Sequence, residues 1–101
     1  MSIKDYIIWL VSDRYEINIC TPYRTKKEAV DVCAYMLKKH TDMKHKAISL
    51  TLGSTAKSTN LIKCISIVKN RRNIDAEFNT KLAYMDVAIS QNNGALIYNK
   101  S

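Results

Sequence analysis

The apolar residues of this chain occur in short runs, and the first of them reads as a strand. Ile7 to Val11 are five consecutive large apolar residues, too few for a typical helix and rich in β-forming types. We therefore expect a strand with little water on either face over residues 5–12. Residues 15–20 alternate between apolar and polar side chains, which predicts a half-buried second strand paired with the first as a hairpin.

Two later segments show helical spacing. Thr25 and Glu28 stand three residues apart, as in a capping box, and the apolar pattern that follows predicts a helix over roughly residues 25–40. A second helix is expected to begin at a cap, Asn73 or Asp75, and to end at the turn-forming residues 92–94. The apolar stripe of this second helix consists of Ile74, Phe78, Leu82, Met85 and Ile89.

The remaining apolar runs predict three more strands. Residues 45–52 and 61–69 read as a second hairpin, and residues 95–98 read as a short last strand. The predicted element order is therefore β-β-α-β-β-α-β. An offset of 49 residues aligns four identical residues of the two halves, which suggests two related β-β-α units.

This order favours a single α+β domain over residues 1–101. The economical packing is a two-layer sandwich, in which an antiparallel sheet of four to five strands carries both helices on one face. The other face of the sheet would then be open to water, to a partner or to a second copy, so a homodimer is one expectation.

Composition narrows the class of protein further. With 47% hydrophobic residues, the chain has the composition of an ordinary globular domain. It contains no apolar run of about 18 residues and no signal-peptide pattern, so we expect a cytoplasmic protein with no membrane partner. Three cysteines without C-x-x-C spacing fit reduced thiols. Frequent Lys, Ile and Asn suggest a phage or another mobile element as the origin.

Charge is the most informative feature of the sequence. The net charge is +7, and residues 43–74 carry seven basic residues and no acidic residue. A segment of one sign creates a positive potential that attracts anions, and nucleic acid is the commonest large anion in a cell. The candidate binding residues are Lys44, Lys46, Lys57, Lys63, Lys69, Arg71 and Arg72.

The leading hypothesis is a nucleic-acid-binding protein, a regulator or accessory factor that grips the phosphates of DNA or RNA with the basic hairpin 43–72. No aromatic residue falls within 43–74, which favours backbone contact with little sequence specificity. One alternative is a protein-interaction module or inhibitor that docks onto an acidic partner protein. Another is that the lysines only keep strand edges apart and the domain soluble.

We expect no enzymatic activity, no cofactor and no metal site. The loop TLGSTAKSTN, residues 51–60, lacks the second glycine of a P-loop, and a predicted strand follows it. It reads instead as the tip of the basic hairpin, with phosphate contacts from its hydroxyls and Lys57. His40, Asp42 and His45 lie within a five-residue span without a nearby cysteine pair, which argues against a metal site. Cys33 lies on an apolar stripe, where a thiol is inert.

Overall fold

The computed structural model describes residues 2–17, 27–53 and 58–100, and these residues form five helices. The helices are α1 (Ile3–Tyr15), α2 (Lys27–His40), α3 (His45–Thr51), α4 (Ser58–Ile74) and α5 (Ala76–Lys100). No strand occurs in these residues, so the α+β sandwich, its antiparallel sheet and the two β-β-α units are wrong predictions. The architecture is a helical bundle.

The first predicted strand lies inside α1. The hydroxyl of Ser2 accepts a hydrogen bond from the backbone N–H of Asp5 at 3.1 Å and caps the helix. Residues at helical spacing turn inward, namely Ile7, Leu10, Val11 and Tyr15. Trp9, in the middle of the apolar run, is 52% exposed. The run looked like a strand because it mixes inward-facing and outward-facing residues of one helix.

The second predicted strand fails where it can be examined. Tyr15 is the last residue of α1, and Glu16 follows it in the left-handed conformation with φ 56°. The N–H of Glu16 bonds to the carbonyl of Asp13, which closes the helix end. Residues 18–20 of the predicted strand and Thr25 of the predicted capping box lie outside the described residues.

The first predicted helix is confirmed as α2, and it is the central element of the bundle. It packs against α1, α3, α4 and α5. Because neighbours surround it, its buried residues cover more than one stripe: Ala29, Val30, Val32, Cys33, Ala34, Met36 and Leu37. The last turn contains basic residues, Lys38 to His40, which suit the negative end of the helix dipole.

The predicted second hairpin is replaced by α3 and α4. On α4, Leu61 and Val68 are buried, whereas Ile62 and Ile67 are 57% and 48% exposed. Large apolar residues on both the inner and the outer face produced the apolar segment that resembled a strand. Residues 54–57, in the loop between α3 and α4, lie outside the described residues.

The second predicted helix is confirmed as α5, with corrections at both ends. A carboxylate oxygen of Asp75 accepts a hydrogen bond from the N–H of Phe78 at 3.1 Å, so Asp75 is the cap. Of the predicted stripe, all but Ile74 are buried; Ile74 ends α4 and is 86% exposed. The helix continues through residues 92–94 to Lys100, so the predicted last strand is also wrong.

Candidate nucleic-acid interface

Four of the seven candidate residues are exposed lysines on α3 and α4. Lys44 directly precedes α3, Lys46 lies in its first turn, and Lys63 and Lys69 lie on α4. None of the four makes an ion pair with a residue in the described part of the chain. Their ammonium groups are therefore available to an external anion.

These lysines belong to two helices that touch, because α3 packs against α4. On α4, Lys63 and Lys69 are both exposed, Lys63 opposite the buried Leu61 and Val68 and Lys69 at the side of the helix next to Val68. They are six residues apart, which corresponds to about 9 Å along the helix axis. Exposed polar residues, Ser66 and Asn70 among them, lie between or beside the lysines.

The same surface carries large aliphatic side chains. Leu50 of α3 is 75% exposed, and Ile62, Ile67 and Ile74 of α4 are exposed as well. We call this set of four lysines and four aliphatic residues the α3–α4 surface. It combines positive charge with apolar area and contains no carboxylate. Aliphatic area has no role in phosphate binding, so this composition also suits a partner with apolar side chains.

Arg71 is paired within the protein, although its side chain remains 43% exposed. Its guanidinium donates a hydrogen bond to a carboxylate oxygen of Glu28, lies 3.5 Å from Asp75 and stacks over the ring of Phe78 at 4.0 Å. Glu28 also accepts a hydrogen bond from the Tyr15 hydroxyl at 2.7 Å. We call this group the Glu28 cluster. Its carboxylate joins α1, α2 and α4, and the ring of Phe78 against Arg71 adds α5.

The hydrogen bond between Tyr15 and Glu28 shifts the pKa of both groups. The bond from the Tyr15 hydroxyl lowers the pKa of Glu28; burial opposes this shift, and Arg71 reinforces it. Burial raises the pKa of Tyr15 well above its ordinary range, and the neighbouring carboxylate raises it further. The cluster therefore favours an ionised Glu28 beside a protonated Tyr15.

Arg72 is engaged in a second cluster. Its guanidinium donates hydrogen bonds to Asp86 at 2.7 Å, to the Tyr35 hydroxyl at 3.1 Å and to the side-chain oxygen of Asn79 at 2.8 Å. His40 Nε2 lies 2.7 Å from Asp86 Oδ1, and Lys39 Nζ lies 3.0 Å from Asp86 Oδ2. We call this group the Asp86 cluster. It joins α2, α4 and α5.

The Asp86 cluster is largely shielded from water. The side chains of Asp86, Arg72 and His40 are 17%, 14% and 13% exposed. Burial opposes the charged form of Asp86, but hydrogen bonds from His40, Lys39 and Arg72 outweigh it and hold the pKa of Asp86 below its ordinary value. This carboxylate is therefore ionised, and Arg72, Lys39 and His40 all contact it.

Sequence reasoning did not anticipate that Arg71 and Arg72 would be internally paired. Their partners lie on other helices, with Glu28 43 residues before Arg71 and Asp86 14 residues after Arg72. No feature of the local sequence indicates such pairs. Because residues 43–74 contain no carboxylate, all of their basic residues were expected to lack a partner. The structure brings Lys44, Lys46, Lys63 and Lys69 to neighbouring helices and directs the two arginines inward.

The elements on either side of residues 54–57 do not fit a P-loop. These elements are helices, whereas a P-loop connects a strand to a helix, and the expected strand after residue 60 is replaced by α4. Ser54, Thr55 and Lys57 lie outside the described residues. Among the residues that are described, no group of three His, Cys, Asp or Glu side chains is placed to hold a metal ion. His40 contacts Asp86 instead.

Comparison with protein-family models, with curated proteins and with solved structures finds no match to this chain. The assignment of a function therefore rests on exposure, charge and packing. Across residues 2–17, 27–53 and 58–100, no helix is both long enough and apolar enough to cross a membrane.

Proposed function

We propose that this protein binds nucleic acid, as a regulator or accessory factor, and that the lysines of the α3–α4 surface contact the phosphate backbone. The supporting observation is that Lys44, Lys46, Lys63 and Lys69 are exposed on adjacent helices and make no ion pair with any residue that the structure describes. Lys57 belongs to the same basic segment and is included in the proposal. Arg71 and Arg72 hold the bundle together and are not assigned to the ligand.

The proposed binding is electrostatic. A lysine ammonium is a mobile point charge that neutralises phosphate without reading bases, and α4 exposes no aromatic ring on which a base could stack. If four to five phosphates are neutralised, the logarithm of the binding constant falls against the logarithm of salt concentration with a slope of about −4 on duplex DNA. Sequence specificity is correspondingly small.

The test is a fluorescence-anisotropy titration of labelled duplex DNA, single-stranded DNA and RNA at several salt concentrations. The variant K63Q/K69Q removes two charges from the α3–α4 surface. The control K4Q/R14Q removes two charges from α1 and leaves the same net charge. We expect the slope to become less steep by about 2 only in K63Q/K69Q. Equal effects of the two variants, or no binding at about 50 mM salt, would exclude the proposal.

The second candidate is a protein-interaction module or inhibitor that docks onto an acidic partner protein. It is favoured by the exposed aliphatic residues Ile62 and Ile67, because aliphatic side chains cannot bind phosphate but can pack against apolar side chains of a protein. The variant I62S/I67S separates the two functions. Nucleic-acid affinity should change less than twofold in this variant, whereas a protein partner captured by the wild-type chain should be lost.

A further inference from the structure

The outer face of α1 is an acidic stripe with an aromatic centre. Asp5, Trp9 and Asp13 are four residues apart, so they lie above one another on the helix surface, opposite the buried Ile7 and Val11. Trp9 is 52% exposed, and the ring of Tyr6 lies beside it with the centroids 5.9 Å apart. A shallow groove continues from Trp9 past Asp13 to the residues that follow the helix.

Among the described residues, the carboxylates of this stripe have no cationic partner: Asp5, Asp13 and the nearby Glu16 make no ion pair there. The partly buried acidic residues differ in this respect: Glu28, Asp31, Asp75 and Asp86 each pair with a basic side chain. The α1 stripe therefore combines unneutralised negative charge with exposed aromatic area.

The α3–α4 surface is complementary to this stripe in charge and in apolar content. Asp5 and Asp13 lie about 12 Å apart along α1, with Trp9 between them. On α4, Lys63 and the exposed Ile67 are four residues apart, so they lie on one face of the helix about 6 Å apart along its axis, the same spacing that separates Trp9 from each aspartate of the stripe. The flexible Lys63 side chain can reach a carboxylate of the stripe, and its stem can pack on the indole ring.

We infer that the α1 stripe of one molecule docks onto the α3–α4 surface of a second copy of this chain. Trp9 packs on Ile67, and Lys63, on the same face of α4, pairs with a carboxylate of the stripe, Asp5 or Asp13, each four residues from Trp9. The two surfaces belong to different helices, so the contact is heterologous. Each molecule in a pair retains one free surface of each kind, and the assembly extends into a filament or closes into a ring.

This self-association goes beyond nucleic-acid binding and does not depend on it. It uses α1, which the proposed nucleic-acid contact does not involve. Both interactions share the α3–α4 lysines, so bound nucleic acid competes with the second copy. A variant confined to α1 therefore loses self-association and retains nucleic-acid affinity, which keeps the failure of one proposal distinct from the failure of the other.

The experiment uses two variants that each disable one surface. W9S/D13N removes the centre of the α1 stripe, and K63Q/I67S weakens the α3–α4 surface. All four side chains are solvent-exposed, and far-UV circular dichroism checks that the bundle remains folded. The control Y84S replaces an aromatic side chain of α5 that is 70% exposed and belongs to neither surface.

Sedimentation velocity at low salt should show that the wild-type chain and Y84S grow in average mass as concentration rises from about 10 μM to about 500 μM, within the range of a weak interface. Each disabled variant should remain a monomer. An equimolar mixture of the two should form a one-to-one heterodimer and nothing larger, because only one intact pair of surfaces exists in it. Higher salt should dissociate both assemblies.

Two results would overturn the inference. One is a wild-type chain that stays monomeric throughout this concentration range at low salt. The other is a mixture of W9S/D13N and K63Q/I67S that stays monomeric while the wild-type chain associates, because the contact would then use other surfaces. Trp9 is the only tryptophan, so its fluorescence should also shift to shorter wavelength on wild-type association and in the mixture.

Discussion

Replacing Asp86 by Asn tests the most shielded charge cluster of the bundle. The substitution keeps the size of the side chain and removes its charge. Arg72, which is 14% exposed, then loses its carboxylate but keeps its bonds to Tyr35 and Asn79. Removing one partner of a fully buried ion pair costs about 3–5 kcal/mol, and the retained bonds and partial access to water reduce the expected loss to about 2–3 kcal/mol.

The assay is urea denaturation followed by far-UV circular dichroism, with the slope of the transition compared between variants. A domain of this length has a free energy of unfolding of about 5–15 kcal/mol, so D86N should shift the midpoint clearly. The matched control is K39A. Lys39 pairs with the same carboxylate but is 43% exposed, so its loss should cost no more than about 1 kcal/mol.

The pH dependence supplies a second readout of the same cluster. The pKa of Asp86 is lower in the folded chain than in the unfolded chain, where it is about 3.9. As pH falls, the unfolded chain binds this proton first, so the contribution of Asp86 to stability is complete above about pH 5 and is lost as pH falls through its folded-state pKa. D86N should therefore show a shallower loss of stability in acid.

Either of two results would contradict a shielded ion pair between Asp86 and Arg72. D86N could cost less than about 1 kcal/mol, which is the value of an exposed pair. Its acid unfolding curve could also have the same slope as that of the wild-type chain. In both cases Asp86 would not be holding a shielded guanidinium.

Three further predictions concern other parts of the bundle. Because the pKa of Tyr15 is raised, part of the tyrosine absorbance should titrate well above pH 10, stability should fall as pH rises above about 10, and Y15F should remove the late absorbance step. V68A should cost about 1–3 kcal/mol, whereas I67A should be nearly neutral; similar losses in both would contradict the orientation of α4. D75A should cost about 1 kcal/mol in urea denaturation through the lost cap of α5; an unchanged midpoint would mean that the cap contributes nothing.

Two of the five described helices could be predicted from the sequence, and the reason is physical. In α2 and α5 the apolar residues concentrate on inward faces, and Asp75 marks the start of α5. In α1 and α4, large apolar residues also face outward, as Trp9 and Ile67 do, so no single period stands out. The cap that Ser2 provides for α1, through the N–H of Asp5, was not identified in the sequence.

The candidate surface was only partly predictable. A count of charges located the basic segment, because like charges without local counter-charges are visible in any sequence. The count could not distinguish Lys63 and Lys69, which face solvent, from the adjacent arginines, which are paired with carboxylates. That distinction depends on which helices pack against the end of α4, and Glu28 and Asp86 come from distant positions in the chain.

The arginine pair at the end of α4 also determines which side of this helix faces inward. Hydrophobicity alone hardly distinguishes the two sides, since Ile62, Ile67 and Ile74 lie outside while Leu61 and Val68 lie inside. Neighbouring residues on a helix point about 100° apart, so Arg71 and Arg72 reach their two carboxylates together in only one rotation of α4 about its axis. Without them, the burial of Leu61 and Val68 would be left as the main contribution that favours this rotation. The two ion pairs therefore help to decide which face of α4 is exposed to solvent, in a helix whose hydrophobic pattern does not decide it.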